Sequence, residues 1–225
     1  MRSKEYFKIL QGDLIMQYMG NCQWWNDKFK ARELKLMRHE KCLEEDIKYF
    51  PKKGKILDIA CGDGRNSIYL AKLGYTVHAI DFSEEALKRL KYFSEKEKLN
   101  IDTQLVDLST NNFCVYLDKY DAIIINHYRL RPELYSILMN YINKGGILWI
   151  NGFKEIPGDN PNITELDILR EDDFISMENY TLENKNIYKI GEKTFMRCIW
   201  RKEDIQGYNM DNYLLKLKNF NINKL

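Results

Sequence analysis

The sequence has no excess of charge of either sign, no long apolar run, no repeated unit and few histidines. Its 35 Lys and Arg stand against 33 Asp and Glu, interspersed along the chain, for a net charge of +2. That balance makes no case for a nucleic-acid partner, whose phosphates call for a basic patch or stripe. No stretch approaches the roughly 18 apolar residues of a membrane span, and the opening MRSKEYFKIL mixes charge into what would be a signal core. Neither a membrane nor an export route is expected. The five cysteines, Cys22, Cys42, Cys61, Cys114 and Cys198, are odd in number and never fall in C-x-x-C spacing. They read as reduced thiols of a cytoplasmic protein, and no metal site is expected. With roughly 100 to 200 residues to a domain, one globular domain with some decoration is the expected organisation.

What the sequence does have is the stretch Lys55-Ile-Leu-Asp-Ile-Ala-Cys-Gly-Asp-Gly-Arg-Asn-Ser67. Ile56, Leu57 and Ile59 read as a strand buried on both faces, Gly62 and Gly64 turn the backbone, and Asn66 to Leu73 continues at helical spacing. A glycine at position 62 lets the main chain approach a ligand with no Cβ between, and the following helix aims unpaired N–H groups into the same crevice. The turn therefore makes a site of nucleotide or nucleoside size. It departs from a dinucleotide fingerprint, because the third glycine would fall at Ser67 and the strand carries an acidic residue, Asp58, close to the turn. A carboxylate there is a poor neighbour for a pyrophosphate and a reasonable partner, direct or through water, for an ammonium group. Two more carboxylates follow. Asp81 ends the run Val77 to Ile80, where an acidic group can hold both hydroxyls of a ribose. Asp107 closes a third strand and can accept from an adenine amino group.

The run ILDIACGDGRNSIYLAKLGYTVHAID, with LVDLS at 105 to 109 and YDAIII at 120 to 125, resembles the class I S-adenosylmethionine-dependent methyltransferases. Within them it is most similar to the tellurite-resistance methyltransferase group, through CG-x-GRNS-x-YLA at Cys61 to Ala71, the Gly74-Tyr75 turn and Val106 to Leu108. The resemblance implies S-adenosylmethionine as cofactor and S-adenosylhomocysteine as product. It implies a Rossmann-like α/β sheet, mostly parallel with the last strand antiparallel, helices on both faces and an N-terminal helical cap. Carried over residue by residue, the cofactor contacts fall on Asp58, Ala60, Cys61, Gly62, Gly64, Asn66, Asp81, Phe82, Asp107, Leu108 and Asn126. Two features depart from the pattern. The first glycine of the family's turn is Ala60, which costs a methyl group of clearance. The fourth strand ends in Asn126-His127-Tyr128, where methyltransferases of nucleic-acid and protein amines show an Asn/Asp-Pro-Pro-aromatic run, so the acceptor stays open.

Residues 1–50 are expected to form a helical cap or lid, with apolar residues at helical intervals: Phe7, Leu10, Leu14 and Tyr18, then Leu36, Leu43, Ile47 and Phe50. Pro51 and Gly54 stop it. Within the cap, Trp24-Trp25 and Phe29 resemble the aromatic segment that small-molecule methyltransferases fold over cofactor and acceptor. Trp25 and Phe29 are thus expected against the acceptor, with core packing as the competing reading. The basic run Lys28 to Lys41 reads as a solvated helix face, with an anion-attracting rim near the pocket as the minority reading, and His39 as a packing residue of the same helix. Residues 51–202 are the expected methyltransferase core, in which strands and helices alternate. Ser83 caps a helix to about Lys98, strands follow at Ile101 to Val106 and Ala122 to Asn126, and a helix from Glu133 to Ile142 is ended by Gly145-Gly146. Strands at Ile147 to Asn151, Met177 to Leu182 and Lys193 to Trp200 complete it. The loop holding Pro157 and Pro161 is either an acceptor lid or an ordinary surface loop. Residues 203–225 read as a tail, with Leu214, Leu217 and Phe220 on a short amphipathic helix.

For the chemistry, His127 is the side chain placed to accept a proton, or else a hydrogen-bonded structural residue; Tyr128 stands beside it. Arg129 can hold an anionic acceptor as a planar fork, with a solvated helix start as the competing account. The expected partner is a small-molecule acceptor, such as a metalloid oxyanion or a thiol. A silent S-adenosylmethionine-binding module or sensor is the alternative. A nicotinamide oxidoreductase would need the missing third glycine and a second catalytic constellation.

Overall fold

The computed structural model describes residues 21–109, 117–160, 162–177 and 180–203. The Phe7 to Tyr18 periodicity, Cys114 and the tail helix around Leu214 lie outside them. Two short helices lead in, α1 (Cys22–Ala31) and α2 (Lys41–Asp46). The core then runs β1 (Lys55–Ile59), α3 (Arg65–Lys72), β2 (Thr76–Asp81), α4 (Glu84–Lys96), β3 (Ile101–Leu105), β4 (Tyr120–Asn126), α5 (Pro132–Leu138), β5 (Ile142–Phe153), β6 (Thr181–Ile190) and β7 (Lys193–Arg201).

The strands form one sheet in the order β3-β2-β1-β4-β5-β7-β6. The first five are parallel, and β7 inserts antiparallel between β5 and β6. This is the expected class I methyltransferase architecture. Strand order reverses between β1 and β4, and the carboxyl edge at such a reversal is where open α/β sheets bind ligands. The central strands are apolar on both faces because helices cover both. Leu57, Ile59, Ile123, Ile125, Leu148 and Ile150 pack with Leu134, Tyr135 and Leu138 of α5. Their alternates, Ile56, Val77, Ala79, Ile124 and Trp149, pack against Ile68 and Leu70 of α3, Leu90 and Phe93 of α4, and Leu43 of α2.

Local chemistry sets several boundaries as expected. Ser83 accepts the Ala86 N–H at the start of α4, Pro132 opens α5, and Gly74, at φ +93°, follows α3.

Three expectations are corrected, and of the two readings of the Pro157 loop the surface-loop one is favoured. The helix read through Lys28 to Lys41 ends at Ala31, and residues 32–40 run without regular structure. The Arg32 and Glu33 carbonyls are taken by Arg89, and the His39 ring stacks on Tyr69 at 3.8 Å between centroids. These tertiary partners outweigh local helix propensity. The helix before Gly145-Gly146 ends at Leu138 with a 3-10 turn at Met139–Tyr141. The glycine pair lies inside β5, where the register against β4 shifts and where a Cβ on Gly146 would sit 2.5 Å from the Asp121 carbonyl oxygen. The strand read at Met177 to Leu182 is displaced: Glu171–Met177 is 3-10 helix, with Met177 buried, and β6 starts at Thr181. β6 is a polar edge strand with solvent on both faces, so it carries no alternating apolar signal. Finally, the Pro157 loop ties Asp159 to Lys193 at 3.1 Å and contributes no described residue to the cavity below α1.

Candidate active site

A cavity of about 400 Å³ opens at the carboxyl ends of β1, β2 and β4. Its floor is the glycine turn. Ala60, Gly62 and Gly64 have φ of +56°, +57° and +83°, and the Cys61 N–H is fixed to the Ile80 carbonyl at 3.1 Å. A Cβ at Gly64 would lie 2.1 Å from Leu90 Cδ1, so the turn requires glycine for conformation and for clearance. At Gly62 a Cβ would meet the Phe29 ring at 3.3 Å, which shows how closely α1 lies over the turn.

α1 is held there by polar contacts at both ends. Asn21 caps it by accepting the Trp24 N–H at 2.9 Å. Asn26 Oδ1 accepts from Ser83 Oγ at 2.8 Å and from the Glu85 N–H at 3.2 Å, joining the lid to the start of α4. At the far end Asp63 of the turn, 3% exposed, accepts from Arg32 at 3.2 Å and from Arg89 at 3.3 and 3.2 Å. Trp25 and Phe29 stack with centroids 5.6 Å apart, and both face the cavity.

Four carboxylates line it: Asp63 of the turn and the three that the strand ends suggested, Asp58, Asp81 and Asp107. Asp58 is 1% exposed and accepts from Ser67 Oγ at 2.6 Å, which explains a serine where a dinucleotide site has its third glycine. Burial pushes the Asp58 carboxyl up to about 7 against the help of that hydrogen bond, and the charge of Asp81 adds to the rise. Burial likewise lifts Asp81 to about 6, although Asp81 accepts the Gly62 and Ser83 N–H groups at 2.8 and 2.9 Å. Its two oxygens keep acceptor capacity for a ligand hydroxyl. Burial, with Asp81 and Asp58 beside it, raises the Cys61 thiol well above its ordinary value, so it packs as a small neutral group.

At the opposite wall His127 ends β4 with φ +56°, an uncommon conformation for a side chain of its size. Its backbone N–H binds the Asn151 carbonyl at 2.7 Å. Its ring meets Phe153 and Phe195 edge-on, centroids 5.2 and 5.4 Å away, and its Nε2 lies 2.9 Å from Glu40 Oε1. The same oxygen accepts from Arg65 Nη2. Burial alone would raise the Glu40 carboxyl, but the His127 hydrogen bond and the His127 and Arg65 charges prevail and hold it at about 2. Glu40 sits at the start of α2, its N–H bound to Asn66 Oδ1 at 3.0 Å. α2 is pinned in turn by Asp46, which accepts from Trp149 Nε1 at 2.8 Å and pairs with Arg197 at 3.0 Å.

A family model described as "Tellurite resistance protein TehB" matches residues 21–145. The chain belongs to the TehB family. Among curated relatives, the probable S-adenosyl-L-methionine-dependent methyltransferase TehB of Haemophilus influenzae is 38% identical over 95 residues, covering 41% of this chain and 33% of that protein. The ubiquinone biosynthesis O-methyltransferase of Coxiella burnetii is 38% identical over 88 residues, 38% of this chain and 36% of that one. The alignments thus span about a third of each of these relatives. Among solved structures, TehB from Haemophilus influenzae superposes with a TM-score of 0.61 at 24% identity, covering 80% of this chain and 67% of that one.

In this TehB-family chain, the cavity brings together Asp58, Ala60, Cys61, Gly62, Asn66, Asp81, Phe82, Asp107, Leu108, Asn126, His127, Tyr128, Trp25 and Phe29, all singled out from sequence. Gly64 shapes the turn without lining it. Arg129 does not line it either: it forks onto Asp173 at 2.8 and 2.5 Å and reaches the Leu166 carbonyl. It is a structural clamp, so the anion fork read at this position is corrected. Arg32 was reached only through the rim reading of the basic run, and sequence reasoning missed the lining residues Asn21, Cys22, Met37, Asp63, Arg65 and Ser109, and Glu40 behind them. Arg65 sits inside the quoted motif, but nothing local marks Glu40, 87 positions from His127.

Proposed function

We propose that this chain is a methyltransferase that binds S-adenosylmethionine beneath α1 and transfers its methyl group to a small-molecule acceptor. The observation that carries this reading is the pair of buried carboxyl groups, Asp58 and Asp81, facing the cavity with no basic side chain hydrogen-bonded to either among the described residues. Such a wall suits a cationic ligand rich in hydroxyls and repels a pyrophosphate. The cofactor supplies an electrophilic methyl group on a sulfonium. On this reading Asp58 takes the ammonium end, Asp81 the ribose hydroxyls, and Asp107 with Leu108 the adenine. Trp25 and Phe29 close over the reacting centre and exclude water. Holding the acceptor behind the methyl is worth about 7 to 11 kcal/mol in effective molarity.

Further support comes from the family and from the relatives' names. A coclaurine N-methyltransferase solved with N-methylheliamine and S-adenosylhomocysteine shares the fold, with a TM-score of 0.55 at 14% identity over 84% of this chain and 72% of that one. A metalloid oxyanion, a thiol or another small nucleophile is the acceptor in this reading, and the free cysteines fit a cytoplasmic location.

The test is transfer of labelled methyl from S-adenosylmethionine across a panel of tellurite, selenite, thiols, phenols and amines. Labelled product from any one is the expected result. Tight cofactor binding with no product from the whole panel would instead favour a silent binding module.

A further inference from the structure

The Glu40–His127 contact bears on what kind of acceptor the cavity serves, an inference that rests on the methyltransferase reading. Arg65 donates to Glu40 Oε1, and a carboxyl paired with a permanent cation is an ionised acceptor with no proton to give. The hydrogen in the 2.9 Å contact therefore belongs to the histidine, on Nε2. Arg65 shares that carboxylate oxygen, so the Glu40 charge is already balanced by a permanent cation. His127 does not need to be protonated to satisfy it. In a neutral imidazole with hydrogen on Nε2, Nδ1 is the basic nitrogen. Among the described residues Nδ1 has no hydrogen-bond partner, and His127 lines the cavity with its side chain 23% exposed.

We propose that Glu40 is a positioning residue that fixes His127 as a general base through Nδ1, and that the natural acceptor carries an O–H or S–H group. In the step, the acceptor oxygen or sulfur forms its bond to the methyl carbon while its proton passes to Nδ1. The carbon–sulfur pair stays with the departing sulfur, which becomes a neutral thioether. The imidazolium formed is stabilised across the Nε2–H contact by Glu40. Beyond Glu40 and the Arg65 that shares it, the ring meets two uncharged rings, Phe153 and Phe195, with Tyr188 stacked on Phe195. An oxyanion such as tellurite attacks through a lone pair already free on the metalloid, needs no proton removed from that atom, and gains little from this pair. A phenol, alcohol or thiol gains a factor of about 100 or more.

Two measurements test this on the full chain. The first needs no cofactor: nitrogen-detected spectra of the three histidines, with His127 assigned through His127→Gln. The wild type should show the neutral ring with its hydrogen on Nε2, and Glu40→Ala should shift neutral His127 measurably toward the Nδ1–H form. An Nδ1–H form in the wild type, or an unchanged tautomer ratio in Glu40→Ala, would overturn the positioning role. The wild-type spectrum decides even where a variant folds poorly.

The second compares a phenol and a small thiol with selenite as acceptors. Glu40→Gln and His127→Gln should cut kcat on the protic acceptors at least tenfold more than they cut kcat on selenite. Turnover confined to selenite, or equal losses on every acceptor, would overturn the acceptor class. Failure of wild-type protein to bind S-adenosylhomocysteine would strike the methyltransferase reading itself, leaving the tautomer result to stand or fall separately.

Discussion

Asp58 is the residue at which stability and ligand binding pull apart. The unfolded carboxyl ionises near 3.8 and the folded one near 7, so across that window the native state holds a proton that the unfolded chain has released. The contribution of this group to stability is therefore greatest at low pH and declines as pH rises through the window. Asp58→Asn removes a buried charge while keeping an acceptor for Ser67. At pH 8 it should raise unfolding free energy by about 1 to 3 kcal/mol in urea titrations, while weakening S-adenosylmethionine binding tenfold or more. The same shift couples binding to protons. A cationic ligand selects the ionised carboxylate, so affinity should fall as pH drops below about 7. Calorimetry in buffers of different ionisation enthalpy should show proton release on binding, and a pH-independent affinity would contradict the assignment. Asp58, Asp81 and Asp107 were legible in sequence because each stands at a strand end beside a recognisable turn. Glu40 was not, because its partners His127 and Arg65 reach it through the fold alone.

The glycine turn and the segment after α1 are the elements that build the cavity. Gly64 and Gly74 both have positive φ, but only Gly64 is crowded, by the fully buried Leu90. Gly74→Ala should cost about 1 to 2 kcal/mol from backbone strain alone. Gly64→Ala adds overpacking and should cost about 2 to 4 kcal/mol, with loss of cofactor binding. Urea unfolding of the two variants separates the effects, and equal costs would show that the Leu90 contact is easily relieved. Strands β1, β2 and β4 were readable from their apolar runs, and α4 from its cap and periodicity. Residues 32–40 and β6 were not. The former take their course from Arg89, Asn66 and Tyr69, which are distant in sequence. The latter is an edge strand whose polar composition, TLENKNIYKI, reflects solvent on both faces.

At the scale of the whole molecule, the reversal of strand order between β1 and β4 gathers the turn, the acidic strand ends and His127 at one edge of the sheet, and α1 closes over them. The order of strands was legible only through the family resemblance. The apolar patterns mark strands without saying which neighbours which. The central claim is that this edge holds the sulfur nucleoside, and the most direct measurement is calorimetric titration of S-adenosylhomocysteine into the wild type and into Asp107→Ala. Asp107 lies at the cavity wall outside the strands, so its replacement leaves the sheet in place. The account predicts saturable binding of one ligand per chain and an affinity at least tenfold weaker in the variant. Absence of binding to the wild type, or identical affinities for the two proteins, would contradict it.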